Sequence, residues 1–278
     1  MLQHSDGLAD SALEAIAGLE RQVVAADGGR LKLEWGTLRS RPSDAVRDLL
    51  WWENGRLLGF LGIYGFNWRH LELTGMVHPD ARRRGIGRAL FEAALPICRE
   101  QEKDRLLLVV PRPSSAGREF ALDAGMSYEH SEHALALRTR PDGPAGAELT
   151  LRQATPADIP VLSELYLDGF GDPHVDPARL DRDRSRTLMI ELAGEAIGTL
   201  ALAPDGDRSA IYGFVVGIKQ RGKGIGREVL RRVCQEQFDG GAKSVDLEVE
   251  VENDRALTLY TSVGFEPVTT EDYYELML

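Results

Sequence analysis

From Leu149 to Gln153 apolar and polar residues alternate, the pattern of a short half-buried strand. Thr155-Pro156-Ala157-Asp158 then offers a cap residue and a proline in the first turn, which predicts a helix over about 158–168. A long polar loop covers 169–186. Two strands over 187–193 and 195–203 flank a tight turn at Gly194, and a third strand covers 210–216. A glycine-rich turn follows, then an amphipathic helix over 225–238. Along 244–251 apolar residues alternate with acidic ones without a break, which predicts a strand. A helix over 253–263 and terminal strand material up to Leu278 complete this half.

The same plan occurs earlier in the chain. Arg82-Arg83-Arg84-Gly85-Ile86-Gly87-Arg88 corresponds to Arg221-Gly222-Lys223-Gly224-Ile225-Gly226-Arg227 at an offset of 139. At that offset Gly55 meets Gly194, Gly59 meets Gly198, Val77 meets Val216 and Gly125 meets Gly264, with no gap required over some eighty positions. This many coincidences at one offset indicate a tandem duplication. The expected division is an N-terminal domain over 1–140, a Pro/Gly linker over 141–147 and a C-terminal domain over 148–278. The match begins near Asp48, where Asn54-Gly55 is a strong hairpin signal. Residues 8–26 read as a helix, and no counterpart of the 149–153 strand is evident before them. The implied fold class is mixed α/β, one sheet-and-helix domain repeated.

Length supports this division, because 278 residues exceed one typical domain and suit two. The net charge of −11 disfavours a nucleic-acid partner. Its distribution is uneven: 1–147 carry 19 basic against 20 acidic residues, and 148–278 carry 14 against 24. An acidic second half suits a cationic small substrate, or simply a solvated surface. Two cysteines, Cys98 and Cys234, build no disulfide framework, so a reducing, cytoplasmic setting is expected. No apolar run is long enough to span a bilayer, the start lacks a signal-peptide pattern, and no Cys/His spacing suggests a metal.

The chemistry sits at the glycine-rich turns. Glycines let an anion approach the backbone, the first helical N–H groups are unpaired, and the helix dipole and flanking arginines favour negative charge. The turn is a phosphate cradle without the Gly-Lys-Ser/Thr ending of a nucleotide-triphosphate loop or the third-glycine spacing of a dinucleotide fingerprint. Gln220-Arg221-Gly222-Lys223-Gly224-Ile225-Gly226 resembles the acetyl-CoA pyrophosphate loop of the GCN5-related N-acetyltransferases (GNAT). Asn253-Asp254-Arg255-Ala256-Leu257-Thr258-Leu259-Tyr260-Thr261-Ser262-Val263-Gly264-Phe265 is similar to that family's Asn-x-x-Ala-x-x-Leu-Tyr-x-x-x-Gly-Phe segment at every defined position. The resemblance covers 148–278 and, more weakly, 48–138, the tandem layout of mycothiol synthase.

The resemblance implies an acetyl-CoA-dependent N-acetyltransferase whose acceptor is a small-molecule or peptide amine. It implies that backbone at Val215 and Val216 meets the acetyl and pantetheine portion, that Arg221, Gly222, Lys223, Gly224, Ile225, Gly226 and Arg227 hold the pyrophosphate, and that Asn253 contributes. Tyr260 is the implied donor to the leaving thiolate. Glu248, Glu250 and Glu252 share one face of their strand, where neighbouring carboxylates raise one another's pKa. Glu248 is the favoured base, as in the similar Leu-Glu-Val-x-x-x-Asn segment of ribosomal-protein N-terminal alanine acetyltransferases; Glu250 is the reserve. The loop over 169–186 is the expected lid. It holds Asp172, Asp176, Asp181 and Asp183 against Arg179, Arg182, Arg184 and Arg186, with His174 read as a surface residue.

In the first half the counterparts of Glu248, Asn253 and Tyr260 are Val109, Ser114 and Ala121. The cradle survives, so Val77, Arg82, Gly85, Gly87 and Arg88 are expected to bind a CoA-like anion without the usual acid and base. Glu72 is a weaker alternative base, and Trp51, Trp52, Phe60, Tyr64, Phe66 and Trp68 read as packing. The competing readings are an acyl-CoA sensor without turnover and a transferase of another acyl chain. The sequence does not specify the oligomeric state.

Overall fold

The computed structural model describes residues 1–41, 45–66, 68–143, 149–177, 180 and 186–278. Twelve strands and seven α-helices are described: β1 (Leu2–Ser5), α1 (Asp10–Asp27), α2 (Trp35–Arg39), β2 (Asp48–Glu53), β3 (Arg56–Tyr64), β4 (His70–Val77), α3 (Ile86–Arg99), β5 (Arg105–Pro111), α4 (Ser115–Asp123), β6 (Ser127–Leu137), β7 (Leu149–Gln153), α5 (Ile159–Phe170), β8 (Arg186–Leu192), β9 (Glu195–Asp205), β10 (Arg208–Val216), α6 (Ile225–Asp239), β11 (Ser244–Glu250), α7 (Asp254–Thr261) and β12 (Glu266–Met277). They form two compact units, Met1–His133 with Val268–Leu278, and Ala134–Pro267.

In the first unit the strand order is β1-β2-β3-β4-β5-β12-β6. All determined pairings are antiparallel except β4–β5, which is parallel. The amphipathic helix α3 lays Ile86, Leu90, Phe91, Ala94 and Cys98 on one face of the sheet. Ile16, Leu19 and Val23 of α1 pack the opposite face with Leu50, Phe60, Tyr64 and Met76. Phe60 and Tyr64 are core, as expected of the aromatic cluster, whereas Trp68 is 43% exposed.

The second unit repeats the plan with order β6-β11-β10-β9-β8-β7. Ile225, Val229, Leu230 and Val233 of α6 echo 86, 90, 91 and 94 in α3 and pack with Val245, Leu247 and Val249. On the other face Leu162 and Leu165 of α5 meet Met189 and Val215. Residues 141–143 lie along α6, where the Gln235 side-chain amide donates to the carbonyls of Pro141 (2.9 Å) and Gly143 (3.0 Å). The remainder of the expected linker lies outside the described residues.

Two features depart from the sequence reading. β1 pairs with β2 from Leu2↔Trp51 to Ser5↔Asp48, as β7 pairs with β8, so the first unit does have the early strand. Leu2-Gln3-His4-Ser5 is too short and too polar to announce it, and it stands out of the repeat's offset. The repeat also needs a gap. β3 and β4 pair without interruption from Gly59↔Val77 to Tyr64↔Glu72. The corresponding β9–β10 register shifts between Tyr212 and Val215. β10 therefore carries one more residue than β4, a bulge at Gly213-Phe214. Gly213 takes φ +56°, a left-handed conformation that glycine adopts without strain.

Candidate active site

In each unit a parallel pair opens into a fork. β10 and β11 pair from Arg208↔Ser244 to Ile211↔Leu247 and then part. β4 and β5 pair from His70↔Arg105 to Leu73↔Leu108 and part likewise. Beyond the last rung the two arms no longer pair with each other, so backbone groups there can meet a ligand or water. In the second unit the bulge falls just inside this fork. Val215 is buried against α5, and Val216 packs with the α6 side of the core. Gly198 and Gly169 allow the close fit: a Cβ at Gly198 would lie 2.5 Å from the Val215 carbonyl, and one at Gly169 would lie 2.4 Å from Val215 Cγ2.

The glycine-rich turn follows β10 directly. Gly224 caps α6 with φ +83°, and the space where a Cβ of Gly222 or Gly224 would project is open. The residues present thus fit an anion cradle at a fifteen-residue helix. Arg221 anchors the turn. Its Nε donates to the Val216 carbonyl (2.8 Å) and its Nη2 to the Asp168 carbonyl (3.0 Å), so it ties the turn to its own strand and to α5. Arg82 repeats the first contact on Val77 (3.2 Å). Lys223 is exposed and donates to Gln220 Oε1 (2.8 Å). Arg227 donates to Ser262 Oγ (2.9 Å), linking α6 to the end of α7. Ile225 is buried, and Gly226 lets α6 approach α7, since a Cβ there would meet Leu259 Cδ2 at 3.1 Å. In the first unit Gly85 caps α3 at φ +80°, a Cβ at Gly87 would meet Phe120 at 3.3 Å, and Arg88 is exposed.

Glu248 and Tyr260 lie on opposite faces of the second sheet. Val245, Leu247 and Val249 point into the core beneath α6 and α7, so Asp246, Glu248 and Glu250 point toward the α5 side. Glu248, half-buried, is the first residue past the last rung. Glu250 is exposed at the strand end, and Glu252 lies beyond it, so the three-carboxylate row is two residues long within β11. Tyr260 stands on the α7 side, edge-on to Phe265 with centroids 6.0 Å apart. Burial pushes its phenol up to about 12, so it stays protonated and able to donate at neutral pH. Among the described residues its hydroxyl has no hydrogen-bond partner. Asn253 caps α7, accepting from the Ala256 amide at 3.1 Å.

The first unit lacks this pair. Val109 and Ala121 are buried. Glu72 is buried beside the Lys32 ammonium (3.2 Å). Burial alone would raise its carboxyl; Lys32 and His70 outweigh that and lower it to about 2, which makes it a poor base. Of the expected lid, residues 178–179 and 181–185 lie outside the described residues, with Arg179, Asp181, Arg182, Asp183 and Arg184 among them; His174 is exposed. Sequence reasoning missed the bulge. Its signal is Gly75 against Gly213, which align only if one residue is inserted. Among the described residues no His/Cys/Asp/Glu group could hold a metal, and no helix is long and apolar enough to cross a membrane.

Two forks, each followed by an anion cradle at a helix start, define an acyl-CoA N-acyltransferase class of protein. The model of the acetyltransferase (GNAT) family matches residues 19–125 and 158–265. The chain belongs to that family and carries its domain twice. Its fold is similar to a GCN5-related N-acetyltransferase from Sphaerobacter thermophilus (18% identity, 100% of this chain and 95% of that one, TM-score 0.75). It is also similar to a tandem GNAT protein from the clavulanic acid biosynthesis pathway (21%, 100% and 98%, TM-score 0.68). A third similar structure is a GNAT-family acetyltransferase from Colwellia psychrerythraea (13%, 99% and 99%, TM-score 0.59).

Proposed function

We propose that the second unit is the catalytic one and that it transfers an acetyl group from acetyl-CoA to a primary amine by direct attack. The observation that carries this reading is the fork between β10 and β11, with Glu248 on one face and the protonated Tyr260 on the other. Acetyl-CoA supplies an activated thioester. The main chain at Val215 and Val216, the turn from Arg221 to Arg227 and the start of α7 at Asn253 would hold it. Glu248 accepts the proton that leaves the amine, directly or through water, as the C–N bond forms. The Tyr260 phenol gives its proton to the sulfur as the C–S bond breaks, and regains one from solvent. Base and acid act from opposite sides of the sheet, so neither quenches the other.

The acceptor approaches from the α5 side, where β10, β11 and the acidic character of the second half favour a cationic amine before it is deprotonated. The test is acetylation of a panel of amines (a peptide N-terminus, a polyamine, an aminoglycoside and a thiol-sugar amine), followed by thiol release and by the mass of the product. Product with at least one amine, abolished when Tyr260 and Glu248 are both replaced, is the expected result. Tight acetyl-CoA binding with no product from any amine would favour the sensor reading. Faster turnover with a longer acyl-CoA would revise the acyl group alone.

A further inference from the structure

Among the described residues, the first fork differs from the second in one contact set. At the end of α1 the Asp27 carboxylate forms a bidentate pair with Arg82, Oδ1 to Nη1 at 2.7 Å and Oδ2 to Nη2 at 3.0 Å. The same Oδ2 accepts from Ser114 Oγ at 2.8 Å. Arg82 stands just past the end of β4, held to the Val77 carbonyl, and Ser114 just past the end of β5, capping α4 through the Gly117 amide. One carboxylate thus joins the tips of both fork arms. The chain beyond it packs along the end of β5, where Cβ positions of Gly28 and Gly29 would lie 3.7 Å from Pro113 and 3.0 Å from Pro111. In the second unit no described carboxylate joins the equivalent positions: Arg221 bonds to the Val216 and Asp168 carbonyls, the Asp168 carboxylate accepts from the Ile218 amide (3.4 Å), and Asn253, like Ser114, caps its own helix.

We infer that Asp27 clamps the first fork shut, so that the first unit admits no acyl-CoA and the chain works with one molecule of it, in the second unit. The inference rests on the reading of the second fork as the acyl-CoA site. Three facts converge on it. The cradle's first arginine is already neutralised by a mostly buried carboxylate in its strongest geometry. That carboxylate places negative charge at the start of the 82–88 turn. β4 also lacks the bulge that re-aims the β10 backbone at the fork. The clamp is a closure built into the fold, and it leaves the first cradle glycines without a ligand to hold.

Hydrogen exchange of the full chain, with and without coenzyme A, reads both forks at once. In the wild type, coenzyme A is expected to slow exchange over 213–227 and leave 74–88 unchanged. Asp27→Asn keeps the shape and removes the charge. Amides over 82–88 are then expected to exchange about tenfold faster, the effect of opening one local contact, and coenzyme A now slows them. Ser114→Ala, which leaves the arginine pair in place, should give a smaller acceleration. Slowing over 74–88 in the wild type overturns the clamp, as does an Asp27→Asn chain on which coenzyme A still has no effect there. Absence of slowing over 213–227 speaks against the catalytic reading instead, and the 82–88 amides of Asp27→Asn still decide the clamp.

Discussion

At the scale of single residues the second unit separates two roles by environment. Tyr260 is enclosed by apolar side chains and its phenol is pushed up to about 12 by burial, whereas Glu248 sits half-buried on the other face. Tyr260→Phe is expected to leave acyl-CoA affinity within about twofold and to lower kcat by a factor on the order of 10²–10⁴, the usual span for a lost proton donor. Single-turnover kinetics with a binding titration checks the split. Glu248→Gln should lower kcat similarly, while Glu250→Gln leaves it near wild type. The raised phenol also has a stability consequence. The neutral form is favoured in the folded chain, so its contribution is complete below pH 10 and lost as pH rises toward 12. Ultraviolet difference titration of the wild type against Tyr260→Phe should show that the tyrosine lost ionises near 12 rather than near 10.

At the scale of elements, close backbone approach positions the fork. Gly198→Ala would set its Cβ 2.5 Å from the Val215 carbonyl, so β9 or β10 must move. That substitution should weaken acyl-CoA binding more than it weakens the fold, seen as a raised KM beside a Tm lowered by only a few degrees. Gly224→Ala demands a left-handed alanine at φ +83°, a strain of about 1–2 kcal/mol. In the first unit the polar link between the segment after α1, β4 and β12 sets an acid limit. Lys32 reaches both Glu72 (3.2 Å) and the Tyr273 hydroxyl (2.9 Å). Glu72 is lowered from 4.5 to about 2, so its contribution is present above pH 4.5 and lost as pH falls toward 2. Urea midpoints at pH 5 and pH 3 should differ more for the wild type than for Glu72→Gln.

At the scale of the whole chain, the last strand completes the first unit. β12 pairs with β5 from Glu271↔Pro111 to Met277↔Arg105. Its polar side chains are tied there by Arg30 to Glu271 (3.2 Å), Arg112 to Asp272 (2.8 Å) and Arg105 to Glu275 (3.0 Å). Ending the chain at Pro267 should therefore strip exchange protection from 105–111 and leave the 225–238 helix protected. Tyr274 packs in the first unit's core, so the truncation also opens a cavity there.

Much of this was legible from the sequence alone, for local reasons. The glycine turns, the alternation along 244–251 and the periodicity of 225–238 are encoded within a few residues of one another, and the recurrence of the turns at one offset declares the duplication. What periodicity could not supply depended on partners far along the chain. The pairing of 271–277 with 105–111 and the Asp27 bridge between Arg82 and Ser114 each join segments whose separation no local pattern records. Local propensity and patterning thus determined the kind of domain and how many copies of it the chain holds. Only tertiary pairing decided which strand finishes the first unit and which fork stands open, because hydrogen bonds and ion pairs between distant segments form only when the fold brings them together.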